Sequence, residues 1–126
     1  LKKTLFIFLT ILLASCSSEN GNRIVGDQLT VYFDSAKEES IAEKIALYWK
    51  ENKLLTGRKQ DLKISADEKG YTLKIIASSP KENFSVPFEE RKLLLQLEAD
   101  LNEKVADSPL EIVICNNQFE PIYNVD

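Results

Sequence analysis

From Gln28 onward the apolar residues fall into regular patterns. Leu29, Val31 and Phe33 alternate with Thr30 and Tyr32, a period of two that predicts a strand with one buried face. The period then changes. Ile41, Ile45, Tyr48 and Trp49 recur at intervals of three and four, which predicts a helix from about Ala36 to Asn52. Ser35 with Glu38 three positions later reads as a capping box at its start. Alternation returns at Leu62, Ile64 and Ala66 and again at Tyr71, Leu73, Ile75 and Ala77. Asp67-Glu68-Lys69-Gly70 lies between them. Residues 61–78 are therefore expected to form a hairpin, with Gly70 supplying a positive φ. Residues 79–86, containing Pro80, read as a loop. Pro87 suits the first turn of a second helix, and Glu89 and Glu90 sit favourably near its positive end. Leu94, Leu97, Leu101 and Val105 form its inward stripe, flanked by Leu93, before Asp107-Ser108-Pro109 ends it. Leu110 to Cys115 is a last strand, β-branched at Ile112, Val113 and Ile114.

The resulting order is βαββαβ, an α+β domain. With right-handed crossovers and a hairpin joining the two halves, it resembles the ferredoxin-like split βαβ fold. That resemblance implies an antiparallel sheet of order 4-1-3-2 with two helices on one face. The inward residues are then Leu29, Val31, Phe33, Leu62, Ile64, Leu73, Ile75, Leu110, Ile112 and Ile114. The opposite face shows Thr30, Tyr32, Lys63, Thr72, Lys74, Ile76, Val113 and Cys115. Antiparallel sheets can leave one face in water, but Tyr32, Ile76 and Val113 make this one unusually apolar. These three are candidate partner contacts, unless the tail from Phe119 to Val125 folds back over them.

The segment before Gln28 follows different rules. Lys2 and Lys3 precede an apolar run from Leu5 to Leu13, broken only by Thr10, and then small residues. This is the order of a secretory signal, and the run is well short of the ~20 residues that span a bilayer. Leu13-Ala14-Ser15-Cys16 resembles the lipobox of bacterial lipoprotein precursors. The resemblance implies that residues 1–15 are a signal peptide and that Cys16 becomes the lipidated N-terminus. It implies a bacterial envelope location with the membrane as a partner. In that family an Asp after the cysteine commonly retains the protein in the inner membrane, so with Ser17 there the resemblance implies the outer membrane over the inner in a Gram-negative cell. Residues 16–27 are then the lipidated Cys and a polar tether, and 28–126 a single domain. The eleven residues from Ser17 to Asp27 reach at most about 36–40 Å.

Composition narrows the chemistry. The chain has no histidine, so the commonest general base and metal ligand is missing. The net charge is −4, and without Lys2 and Lys3 the 16 basic residues fall to 14 against 20 acidic, a balance of −6. That argues against a nucleic-acid partner, which needs a basic surface. Cys115 has no base to activate it and reads as a small buried hydrophobe. No cofactor or metal motif is legible, and an enzyme is the less favoured reading. One constellation stands out at the loop end of the expected fold: Arg58 and Lys59 in one connection, and Asn116 and Asn117 in another. It offers a cation and two side-chain amides to a small anion or a peptide terminus. The leading expectation is a lipid-anchored envelope module that binds another envelope protein. The alternative is a small envelope enzyme or ligand binder built around Arg58, Asn116 and Asn117.

Overall fold

The computed structural model describes residues 22–77 and 86–125. Six strands form one sheet: β1 (Asn22–Val25), β2 (Leu29–Phe33), β3 (Gln60–Ala66), β4 (Tyr71–Ile76), β5 (Leu110–Cys115) and β6 (Pro121–Asn124). Helix α1 (Glu39–Glu51) connects β2 to β3, and helix α2 (Phe88–Lys104) lies between β4 and β5. The expected helices and four central strands are all present.

Their arrangement corrects the ferredoxin-like expectation. The strand order is β1-β2-β3-β4-β5-β6, so neighbours in sequence are neighbours in the sheet. β2 pairs with β3 in parallel, and β4 pairs with β5 in parallel; the other three pairings are antiparallel. In a 4-1-3-2 sheet each crossover skips over a strand. Here each helix returns the chain to the adjacent position, and the β3–β4 hairpin occupies the centre. Alternation sets which residues face the core in either arrangement, so it could not choose between them.

Both helices lie on one side, where Tyr48 of α1 donates a hydrogen bond to Asp100 of α2. The two parallel pairs run in opposite directions while advancing the same way across the sheet. The two crossovers are therefore of opposite hand, and one departs from the usual right-handed rule.

Beneath the helices runs the row Ile24, Val31, Leu62, Ile75 and Ile114, in register from β1 to β5. All ten expected inward residues belong to the core or pack against it, with Ile41, Ile45, Trp49 and Leu101 from the helices. Burial at this scale is worth about 1.5–3 kcal/mol for each large aliphatic side chain.

Two short strands were not legible in the pattern. β1 lies within the expected tether, so Asn22–Val25 is part of the sheet. β6 docks the tail along β5, with Val125 fully buried behind it. Each has four residues, too few to establish a period. Each takes its conformation from a long neighbour's free edge.

The expected capping box takes another form. Residues Ala36–Glu38 make a 3-10 turn before α1, and Ser35 bonds to the buried Glu38 carboxylate rather than to a backbone amide. α1 ends in a Schellman motif. Lys53 has φ 56°, Leu54 N–H donates to Trp49 C=O at 3.0 Å, and Lys53 N–H donates to Lys50 C=O at 3.3 Å.

Candidate functional site: the loop end and the two faces of the sheet

The loop after α1 is held by one side chain. Gln60 accepts a hydrogen bond from Trp49 Nε1 at 3.2 Å and donates from Nε2 to Leu54 C=O at 3.0 Å. Its backbone N–H also bonds Gln28 C=O at 2.8 Å. This ties the loop to α1 and to the turn before β2, and so sets where Arg58 and Lys59 emerge. Both line a cleft of about 450 Å³ with Asp61, Ile76, Ala77 and Asn117. Four expected site residues, Arg58, Lys59, Ile76 and Asn117, are thus brought together.

Asn116 has a different role. Its Oδ1 accepts from Gln118 N–H at 2.9 Å and Glu120 N–H at 3.0 Å, and its Nδ2 donates to Glu120 Oε1 at 3.3 Å. Its side chain is committed to building the β5–β6 turn. The part of the loop end contributed by residues 78–85 lies outside the described residues.

Asp61 was missed in the sequence. Its Oδ1 is buried and has no hydrogen-bond partner among the described residues. The cleft joins two cations, Arg58 and Lys59, to the Asn117 amide, which suits a small anionic ligand. The signal that pointed to Asp61 was an acidic residue on the outward phase of β3, two positions after the Arg58-Lys59 pair.

The outer sheet face is only partly open. Its central row is Arg23, Tyr32, Lys63, Lys74, Val113 and Asn124, in register across all six strands. Val113 is 5 % exposed and Cys115 is fully buried. Phe119 comes over this face and meets Tyr32 edge to face, with ring centroids 5.9 Å apart. The tail thus supplies one aromatic to the face, while Ile122 and Tyr123 pack with the core. Of the three expected partner contacts, Tyr32 and Ile76 are half-buried and Val113 is inaccessible. Lys63 and Lys74 are direct cross-strand neighbours, a like-charge pair that costs stability. Asp34 offsets Lys63 at 3.5 Å.

The helix side carries the exposed apolar surface. Phe88, Leu93 and Leu95 on α2 are 76 %, 64 % and 39 % exposed. Leu93 and Leu94 border a hollow between the helices with Tyr48, Leu54, Leu97 and Asp100. A second hollow of about 450 Å³ lies between β1 and α1.

Tyr48 closes the helix pair, bonded to Asp100, which also pairs with Lys104 at 2.9 Å. Burial, and then the Asp100 carboxylate, push the Tyr48 hydroxyl up to about 12.

Cys115 shows no sign of activation. Burial pushes its thiol up, against a weaker pull from Lys74. Among the described residues no group of His, Cys, Asp and Glu is placed to hold a metal ion, and no helix is long and apolar enough to cross a membrane. Cys16 lies outside the described residues. No protein-family model, curated protein or solved structure matches the chain.

Proposed function

We propose that this protein is a lipid-anchored module of the bacterial cell envelope that binds another envelope protein through its helix side. The observation that carries the binding half of this reading is the exposure of Phe88, Leu93 and Leu95 on one helix. Large apolar side chains left in water characterise docking surfaces; Leu93 stands on the flank of α2 that faces α1, and Phe88 and Leu95, seven residues apart, on the other flank. The anchoring half rests on Leu13-Ala14-Ser15-Cys16 behind a basic and apolar leader. Several acyl chains on one cysteine hold a protein firmly at a membrane, where a single chain holds it marginally. The outer membrane is the favoured location in a Gram-negative cell.

The test has two parts. Cys16→Ser should abolish fatty-acid labelling and move the protein out of the membrane fraction; retained labelling would defeat the anchor. Cross-linking in native membranes should recover a partner with the wild-type chain and lose it with Leu93→Glu. Undiminished recovery would defeat the docking surface.

A second reading is supported by the cleft at the loop end. Arg58, Lys59, Asp61 and Asn117 line it, a convergence of polar groups such as a small-ligand binder needs. Charge reversal of Arg58 and Lys59 together separates the two readings. It leaves partner recovery intact under the first and abolishes binding of a small anionic ligand under the second.

A further inference from the structure

The sheet treats its two edges differently. Beyond β5, the stretch not covered by β6 is occupied by α2. Asn102 accepts from Leu110 N–H and donates to Leu110 C=O, both at 2.8 Å, and Glu98 accepts from Ile112 N–H at 2.9 Å. β6 itself begins with Pro121 and follows a register shift at Ile114/Cys115. Proline, irregularity and capping side chains are the usual protections of an edge. Among the described residues, β1 has none of them.

Its free groups can be identified. Gly26 N–H donates to Leu29 C=O at 2.7 Å, and antiparallel pairs alternate between bonded and non-bonded positions. Ile24 therefore bonds to β2, while the N–H and C=O of Arg23 and Val25 point away from the sheet. Beside this edge lies the hollow lined by Ile24, Val25, Glu43, Ala46, Leu47 and Lys50. Val25 is 66 % and Leu47 54 % exposed.

The α1 part of that lining is self-complementary. Glu43, Ala46, Leu47 and Lys50 stand at i, i+3, i+4 and i+7, one face of the helix. Neither Glu43 nor Lys50 forms an ion pair with a described residue. If a second copy approaches by a two-fold axis, the two α1 helices run antiparallel. Glu43 then faces the second copy's Lys50, and Ala46 faces its Leu47, twice over.

The strands agree with the helices. Opposed residues of an antiparallel pair share a sheet face, so a two-fold must centre on a residue. Centring on Arg23 opposes two like charges. Centring on Ile24 joins two apolar side chains beneath the helices and places Arg23 opposite the second copy's Val25. The free N–H and C=O groups of Arg23 and Val25 then bond reciprocally. α1 packs on both β1 and β2, about one strand spacing from that axis. With strands ~4.8 Å apart, the two α1 helices stand about 10 Å apart, within helix packing distance.

We infer that the occupant of the β1–α1 surface is a second copy of this chain, joined through antiparallel β1 strands centred on Ile24. The contact extends the sheet to twelve strands. It uses a different surface from the α2 face of the proposed function and needs no lipid anchor, so Leu93→Glu leaves it intact. Failure of the dimer would leave that function standing.

The test uses the full chain purified in mild detergent. Sedimentation of the wild type should give a reversible dimer. Glu43→Lys should raise its dissociation constant at least tenfold, because both ion pairs become repulsive. Adding Lys50→Glu in the same chain should restore it, which a misfolded variant would not allow. In a Cys16→Ser background, mild oxidation should link Ile24→Cys into a disulfide dimer. Arg23→Cys should form no disulfide under the same oxidation, since its two copies would lie diagonally, beyond disulfide reach. A chain that remains monomeric at all concentrations overturns the inference. So does a dimer indifferent to Glu43→Lys, or cross-linking at position 23 but not at 24.

Discussion

Phe119 lies edge-on against Tyr32, their ring planes inclined at 67°. One is in the β5–β6 turn and the other in β2, so the contact bridges the outer face above β3 and β4. Phe119 holds it from a left-handed backbone conformation, φ 60°, which a bulky side chain adopts only when its surroundings impose it. The Asn116 turn supplies that constraint: the Asn116 Oδ1 accepts the backbone N–H groups of Gln118 and Glu120 on either side of Phe119.

This pair should couple in a double-mutant cycle. Phe119→Ala and Tyr32→Ala, measured singly and together by urea unfolding with Trp49 fluorescence, should show an interaction of roughly 0.5–1.5 kcal/mol. A larger loss is expected on deleting residues 118–126, because that also removes β6 and the buried Val125. Strict additivity of the two alanine changes would mean that the ring contact does not stabilise the fold.

The helix clamp sets a pH dependence. Tyr48 is raised from 10.0 to about 12 by burial and by its bond to Asp100. A raised folded value means that its contribution is complete below pH 10 and is lost as the pH climbs toward about 12. Asp100 moves the other way, below its ordinary 3.8, through the Tyr48 hydrogen bond and then Lys104. Its contribution is present above the ordinary carboxylate range and disappears as the pH falls through the depressed value. Tyr48→Phe should therefore lower stability at neutral pH and flatten the alkaline decline between pH 10 and about 12. Chemical unfolding across that range checks both.

Gly70 has no room for a side chain. Its φ is 148°, and a Cβ there would lie 2.0 Å from Pro109 C=O. That carbonyl accepts Tyr71 N–H at 2.7 Å, so it cannot retreat without breaking the start of the β4–β5 pairing. Gly70→Ala should cost more than about 2 kcal/mol. The thermal midpoint should drop by several degrees for each kcal/mol lost in a domain of this size.

Asn102→Ala should unprotect the edge of β5. It removes both hydrogen bonds to Leu110, leaving a part-buried N–H and C=O unpaired at a cost of about 1–3 kcal/mol. Leu110 N–H should exchange with solvent much faster in the variant, while Leu73 N–H, in the central β4, keeps its protection. Unchanged exchange at Leu110 would show that the side chain is dispensable.

Local pattern alone located both helices and the four long strands, because each carries a period long enough to read. α2 and β5 follow the expected limits closely, from Pro87 to the Asp107-Ser108-Pro109 stop and from Leu110 to Cys115. The inward phase was legible for the same reason: every second residue of a strand must face the same way. Arg58, Lys59 and Asn117 were also legible as neighbours, since β3 begins and β5 ends at the same end of the sheet.

Tertiary structure alone decided which strand lies beside which. The inward residues are the same in a 4-1-3-2 sheet and in the sequential one, so apolar burial does not separate them. It also made strands of Asn22–Val25 and Pro121–Asn124, which lack enough alternation to declare themselves but complete exposed edges. It turned Val113 from an outward candidate into a buried residue. It gave Asn116 to a turn and left the buried Asp61 Oδ1 without a partner among the described residues. Burial and hydrogen bonding depend on what lies opposite a side chain, which a one-dimensional period does not contain.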